Sequence, residues 1–151
     1  MHNDTNMGRI LAIDYGQKRT GLAVSDELKL IATALGTVPT MEVLAYLKNY
    51  ISGHPVECIV VGEPKRMDNS PSESARFIEP FVKRLIQTFP GIRVERADER
   101  FTSLLAGRVI LESGIGKMAR RNKSLVDTVS ATIILQSFME SESVKKEHLN
   151  S

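Results

Sequence analysis

An ordered alternation of short apolar runs and amphipathic segments constrains the fold of this chain more than any other feature. Two apolar runs, Arg9–Asp14 and Thr20–Ser25, flank a short polar connection and predict a β-hairpin. A third strand is predicted at about 31–38. A buried strand at 57–62 and a fifth strand at 92–97 alternate with segments of helical periodicity. This order predicts an α/β fold, a mixed five-stranded sheet with helices on both faces.

Four segments carry helical spacing. The first helix is predicted to open at Pro39-Thr40. The second follows a capping box at Ser70–Glu73 and contains Pro80, which is expected to bend it. The remaining predicted helices span 102–113 and 124–140.

Length and composition predict one domain. A chain of 151 residues with 42% hydrophobic content supplies one substantial core. We expect this domain at 8–140, after a flexible N-terminus at 1–7 and before a polar tail at 141–151. The single cysteine, Cys58, lies in an apolar run, which excludes an internal disulfide and fits a reducing cytoplasm. The sequence contains no membrane span and no signal peptide, so a cytoplasmic protein without membrane partners is expected.

Acidic residues stand at the ends of the apolar segments, where a carboxylate is costly unless it is paired or holds a metal. Asp14 and Glu63 end their strands, Asp98 and Glu99 follow the fifth, and Asp127 lies in the predicted first turn of the last helix. The carboxyl ends of parallel strands meet at one sheet edge, where ligands bind. Such acids favour Mg²⁺ or Mn²⁺, which prefer oxygen ligands. The absence of a Cys/His cluster argues against zinc.

Each acid also has a purely structural interpretation. Asp14 fits an ordinary turn, and Asp127 fits a capping box with Ser124. The run Asp98–Arg100 fits a solvated surface, and Glu63 fits a loop charge. The metal interpretation therefore depends on these residues meeting at one edge of the sheet.

Basic residues lie close in sequence to each acid. The segment Gly114–Lys123 has four positive charges, two glycines and no acid, which suits a loop that closes on a phosphate backbone. Charge runs are more often solvated faces, as we expect for Lys83-Arg84. The chain has no Trp, so backbone contact without base readout is expected. The residues predicted to bind nucleic acid are Lys18, Arg19, Lys65, Arg66, Arg100, Lys117, Arg120, Arg121 and Lys123.

Four motifs carry a family resemblance in the same order along the chain. They are ILAIDYGQKRTGLAVSD at 10–26, VVGEPKRMDNS at 60–70, DERFTS at 98–103, and KSLVD at 123–127 followed by ILQ at 134–136. As a set they resemble the motifs of the YqgF family, also called RuvX, a family of Holliday junction resolvase-like proteins.

The resemblance implies a ribonuclease H-like fold and a nuclease that processes the 5′ end of the precursor of 16S ribosomal RNA. It also implies that the metal-binding carboxylates are Asp14, Asp98 or Glu99, and Asp127. Many similar proteins carry an apolar residue at the position of Glu63, whereas related junction resolvases place a catalytic glutamate near that strand end. The role of Glu63 is therefore open.

Three functions remain open from the sequence. The first is a metal-dependent endonuclease with a two-metal-ion mechanism that processes pre-16S rRNA. The second is a Holliday junction resolvase acting on branched DNA, which would need a dimer to cut two strands symmetrically. The third is a non-catalytic RNA-binding or transcription factor with the nuclease fold. The expected partners are structured RNA or branched DNA and a ribosomal precursor particle, and the expected state is a monomer or weak homodimer.

A further resemblance concerns the turn at Asp14–Gly21, which is similar to the phosphate loop of actin-like ATPases. Those proteins need two such lobes around the nucleotide. A chain of 151 residues supplies one, which argues against that class.

Overall fold

Five strands form one sheet in the part of the chain that the computed structural model describes, residues 8–63, 75–98 and 123–150. At positions 63, 75, 98, 123–128 and 143–150 this description covers the backbone. The elements in chain order are β1 (Arg9–Asp14), β2 (Arg19–Ser25), β3 (Ala32–Pro39), a 3₁₀ turn (Thr40–Glu42), α1 (Val43–Gly53), β4 (Val56–Glu63), α2 (Ala75–Thr88), β5 (Arg93–Asp98) and α3 (Lys123–Asn150).

The sheet has the strand order β3-β2-β1-β4-β5. β1 pairs with β2, and β2 with β3, in antiparallel ladders, whereas β1 with β4 and β4 with β5 are parallel. The prediction of a mixed five-stranded sheet is therefore confirmed. Because β1, β4 and β5 run the same way, they end on the same side of the sheet, which we call the carboxyl edge.

The central strands are apolar on both faces, as expected for parallel strands covered by helices on each side. On one face, Leu11 and Ile13 of β1 join Ile59 and Val61 of β4 in a core with α1 and α2. We call this the α1–α2 face. On the other, the α3 face, the buried residues of the strands and of α3 are Ile10, Ala12, Ala23, Cys58, Val60, Ala131, Ile134 and Leu135.

Helices α1 and α2 bury one face each. Val43 and Leu47 of α1 are buried, and α2 buries Ile78 and Leu85 in the same core. Pro80 lies inside α2, as predicted, at an exposed position, and the bend expected there stays a prediction. The capping box predicted at 70–73, the helix predicted at 102–113 and the N-terminus at 1–7 lie outside the described residues.

Helix α3 is longer than the sequence predicts. We expected it to end near Glu140, and it continues to Asn150. The segment 141–150 contains no glycine or proline, and its Glu and Lys residues favour helix, so nothing in it stops the helix. Arg93 of β5 also contacts this end of α3. Its Nη2 lies 3.2 Å from Oε1 of Glu142, and its guanidinium lies 5.9 Å from the Phe138 ring centroid. None of the helices in these ranges is long and apolar enough to cross a membrane.

Candidate functional site

Three acidic residues end the three parallel strands at the carboxyl edge. Asp14 is the last residue of β1, Glu63 of β4 and Asp98 of β5. Glu63 is paired with Asp98 in the ladder, and the β1–β4 ladder runs up to Ile13 and Val61. Neighbouring strands lie about 4.8 Å apart, so these positions are close along one edge. The fold thus brings together the strand-end acids that the sequence singles out.

The two faces of the sheet divide these positions. Asp14 follows Ile10 and Ala12 at two-residue spacing, so it belongs to the α3 face, and it is half-buried there. Ala97 also packs on the α3 face. Asp98, the next residue, therefore holds a position of the opposite face, the α1–α2 face. Its ladder partner Glu63 belongs to that face too, and we say that the two positions have the same parity.

Asp127 belongs to the helix that covers the face of Asp14. It precedes the buried Ala131 by one helical turn. Because α3 begins at Lys123 and has no acidic residue in its first turn, Asp127 lies just beyond that turn, one step later than predicted.

Helix α3 begins far from the amino end of β5. Phe138 and Glu142 contact Arg93, the first residue of β5. From Phe138 back to Asp127 the helix rises about 16 Å. Asp127 is therefore about three helical turns away from the part of α3 that contacts the amino end of β5.

Two contacts hold the turn between β1 and β2. The Tyr15 ring lies 4.4 Å from the Phe81 ring of α2, measured between centroids. The Thr40 hydroxyl donates to the carbonyl oxygen of Gly16 at 2.6 Å. A Cβ on Gly16 would lie 2.3 Å from the carbonyl oxygen of Arg19, so this position requires glycine. The residues that follow Asp14 thus contact both α2 and the 3₁₀ turn.

Thr40 and Thr20 are the residues of this region that sequence reasoning missed. The predicted helix start at Pro39-Thr40 is found as the 3₁₀ turn that leads into α1, and its N-cap is Pro39. The Thr40 hydroxyl lies 2.8 Å from that of the fully buried Thr20. These contacts join residues far apart in the chain, so no local pattern could have indicated them.

Two of the predicted nucleic-acid contacts lie in the described part of the turn. Lys18 is exposed, and Arg19 is half-buried at the start of β2. Both follow Asp14 closely, so positive charge stands beside the carboxyl edge. Glu99 and the remaining predicted contacts lie outside the described residues or side chains: Lys65, Arg66, Arg100, Lys117, Arg120, Arg121 and Lys123.

The donor set of the carboxyl edge fits hard divalent cations. Asp14, Asp98, Glu63 and Asp127 offer oxygen alone, which suits Mg²⁺ or Mn²⁺. Among the side chains that the structure describes, no three His, Cys, Asp or Glu are grouped closely enough to hold a metal ion. The acids that would complete such a group with Asp14 are outside that description.

Cys58 and His54 have structural roles. Cys58 is a buried free thiol of the α3-face core, and burial raises its pKa to about 11, which keeps it protonated and inert. His54 caps the end of α1, where its ring lies 4.3 Å from the Tyr50 ring, between centroids. Neither belongs to the carboxyl edge.

A mixed sheet of this order, with helices on both faces and acids at its carboxyl edge, is a ribonuclease H-like architecture. A family model described as "RuvX: Holliday junction resolvase" matches residues 8–141. The chain belongs to the RuvX family.

Relatives match the chain over nearly their whole length. A protein of Porphyromonas gingivalis is 59% identical over 134 residues, which are 89% of this chain and 97% of the relative. One of Bacteroides thetaiotaomicron is 57% identical over 136 residues, which are 90% of this chain and 99% of the relative. One of Flavobacterium johnsoniae is 50% identical over 136 residues, with the same coverage. All three carry the name "Putative pre-16S rRNA nuclease".

Proposed function

We propose that this protein is a metal-dependent endonuclease that hydrolyses phosphodiester bonds in nucleic acid and processes the 5′ end of pre-16S rRNA. The observation that carries the proposal is the carboxyl edge, where Asp14, Glu63 and Asp98 end three adjacent parallel strands of a RuvX-family sheet. The names of the relatives support the substrate.

Asp14 and Asp127 would hold Mg²⁺ or Mn²⁺ together with a third carboxylate from the end of β5. When bound, two such ions stabilise the attacking and the leaving oxygen of a phosphodiester. The half-buried position of Asp14 on the α3 face supports its role, because a partly desolvated carboxylate is stabilised by a cation. The position of Asp127, one turn before Ala131 on the helix covering that face, supports the second ligand.

The parity of β5 supports Glu99 over Asp98 as the third ligand. Asp98 occupies a position of the α1–α2 face, whereas Asp14 belongs to the α3 face. Successive strand residues alternate between faces, so the position of Asp98 does not favour a ligand that meets Asp14. Glu99 is the other acid that the sequence offers at this strand end. Glu63 shares the parity of Asp98, which favours a supporting role rather than direct ligation.

Lys18 and Arg19 would contact the phosphate backbone next to the scissile bond. Lys18 is exposed within a turn that begins at Asp14, so an ammonium group can approach a phosphate bound at the acids. Phosphate contacts of this kind position a substrate without reading its sequence. Specificity for the rRNA precursor would then depend on its shape or on the precursor particle that presents it.

A Holliday junction resolvase is the second candidate, and the description of the matching family favours it. The two functions differ in substrate and in the oligomer they need, because symmetric cleavage of a junction requires two active sites. A monomer suffices for cutting one RNA strand.

The location proposed with this function is the cytoplasm, because the relatives are named for a ribosomal RNA precursor.

Side-by-side cleavage separates these functions. The wild-type protein would be incubated with a 16S rRNA precursor carrying its 5′ extension and with a four-way DNA junction, each with Mg²⁺, with Mn²⁺ and with a chelator. We expect metal-dependent cutting of the RNA. Metal-dependent cutting of the junction alone would establish the resolvase, and binding of RNA without turnover would establish a non-catalytic factor.

A further inference from the structure

Thr40 holds two carbonyl groups of the β1–β2 turn. Its backbone N–H donates to the carbonyl oxygen of Lys18 at 2.9 Å, and its hydroxyl donates to that of Gly16 at 2.6 Å. Because this bond uses the hydroxyl hydrogen of Thr40, the Thr20 hydroxyl at 2.8 Å must donate to the Thr40 oxygen. The junction of β3 with the 3₁₀ turn is thereby tied to the turn that begins at Asp14.

The orientation of one peptide unit depends on the Thr40 hydroxyl. In a trans peptide the carbonyl and the following N–H point in opposite directions. The Gly16 carbonyl faces Thr40, so the N–H of Gln17 is directed to the other side of the turn. Glycine tolerates many backbone conformations, so this unit could rotate if the hydroxyl were lost.

The hydroxyl is not required by the helix that Thr40 begins. The 3₁₀ turn has Pro39 as its N-cap, and no side-chain capping bond is made. Thr40 is half-buried, and the Thr20 beneath it is fully buried. The Thr40 hydroxyl donates to this turn and accepts from the Thr20 hydroxyl, which suits a role in shaping the turn.

We propose that Thr40 is a positioning residue of the nuclease: through Gly16 it fixes the turn that carries Asp14 and Lys18, and so the placement of both against the substrate. This inference rests on the proposed nuclease function, and it assigns to Thr40 no contact with the substrate. Tyr15, packed on Phe81, holds the same turn from the α1–α2 face.

Three variants test this role by steady-state cleavage of the 16S rRNA precursor. Thr40→Val removes the hydroxyl and keeps the shape, Thr40→Ser keeps the hydroxyl, and Thr33→Val is the matched control at an exposed position of β3. We expect Thr40→Val to lower kcat about ten- to hundredfold with a smaller change in KM, since small displacements of reacting groups cost rates of this order. Thr40→Ser should restore kcat to within about threefold of wild type, and Thr33→Val should leave it unchanged.

Hydrogen exchange of the turn tests the same claim without activity. Backbone amides at 15–20 should exchange faster in Thr40→Val than in wild type, and at the wild-type rate in Thr33→Val. A Thr40→Val protein with wild-type kcat or wild-type exchange would overturn the role of Thr40, as would a Thr40→Ser protein as impaired as Thr40→Val. If the wild-type protein cleaved neither RNA nor DNA, the nuclease function would fail, while the exchange measurement would still decide whether Thr40 fixes the turn.

Discussion

Glu63 and Asp98 form the last pair of the β4–β5 ladder, so two acidic residues end neighbouring parallel strands side by side. Asp14 ends the strand on the other side of β4, and its position belongs to the opposite face of the sheet. This relationship separates the acids of the carboxyl edge into two groups with different expected effects on catalysis.

The first prediction compares the two acids that follow one another at the end of β5. Glu99→Gln should lower the rate of RNA cleavage by at least about a hundredfold, because losing a ligand costs more than losing a residue that supports one. Asp98→Asn, whose position has the parity of the α1–α2 face, should lower it less. Both rates would be measured with Mg²⁺ at saturating RNA. A larger loss in Asp98→Asn would show that Asp98 is the ligand.

The second prediction concerns the exposed Lys18. In a background of Asp14→Asn, which prevents cleavage, Lys18→Ala should weaken RNA binding uniformly across sequences and reduce the slope of log K against log salt by about 1. Lys48→Ala, exposed on α1 and outside the turn, serves as the control. Binding titrations at several salt concentrations provide both slopes, and equal slopes for Lys18→Ala and the control would contradict the contact.

The third prediction concerns the packing of Gly16. Gly16→Ala places a Cβ 2.3 Å from the carbonyl oxygen of Arg19, a backbone atom that cannot move aside without moving the turn. We expect the free energy of unfolding to fall by about 1–3 kcal/mol. Gly53→Ala, at the last residue of α1, where the space is open, should be neutral or stabilise by up to about 1 kcal/mol. Urea unfolding of both variants measures this, and equal stabilities would show that the turn relaxes freely.

The fourth prediction is a pH dependence of stability from Glu79. A hydrogen bond from Arg96 holds the pKa of the Glu79 carboxyl below its ordinary value. Because the pKa of Glu79 is lower in the folded protein than in the unfolded chain, the ionised carboxylate stabilises the fold at pH values above its pKa in the unfolded chain. This stabilisation is lost as the pH falls through its pKa in the folded protein. Glu79 is exposed and Arg96 is half-buried, so water screens the ion pair, and Glu79→Gln should cost about 0.2–1 kcal/mol at neutral pH.

The cost of Glu79→Gln should shrink when unfolding is measured below the ordinary Glu pKa of 4.5. Glu140→Gln, exposed on α3, is the matched control and should show no such trend. A cost for Glu79→Gln that is the same at neutral and acidic pH would mean that the ion pair does not stabilise the fold.

The sequence predicts the sheet well because its strands are locally encoded. The apolar runs predict β1 at Arg9–Asp14, where the structure has it, and the ends of the other strands to within about one residue, since apolar runs between turn residues define strands. The acids at the strand ends followed from those boundaries. The end of α3 was predicted too early, because a polar segment gives no amphipathic signal even when it is helical.

Long-range contacts could not be predicted. The hydrogen bonds of Thr40 to Gly16 and Thr20 depend on β3 bringing its end beside the β1–β2 turn, which the chain order alone does not specify. The parity of Asp98 relative to Asp14 also needed the register of β4 with β5, since a shift by one residue would reverse it. The metal ions, the ligand set and the oligomeric state stay predictions.

The central claim is that Asp14 is a metal ligand of a nuclease, and cleavage by Asp14→Asn tests it most directly. The variant converts the carboxylate at the end of β1 to a neutral amide of the same shape. It should fold as the wild-type protein does, which thermal unfolding would verify. With Mg²⁺ and the 16S rRNA precursor, we predict cleavage by the wild-type protein and none by Asp14→Asn, with RNA binding retained in both. Cleavage by Asp14→Asn at the wild-type rate would contradict the account.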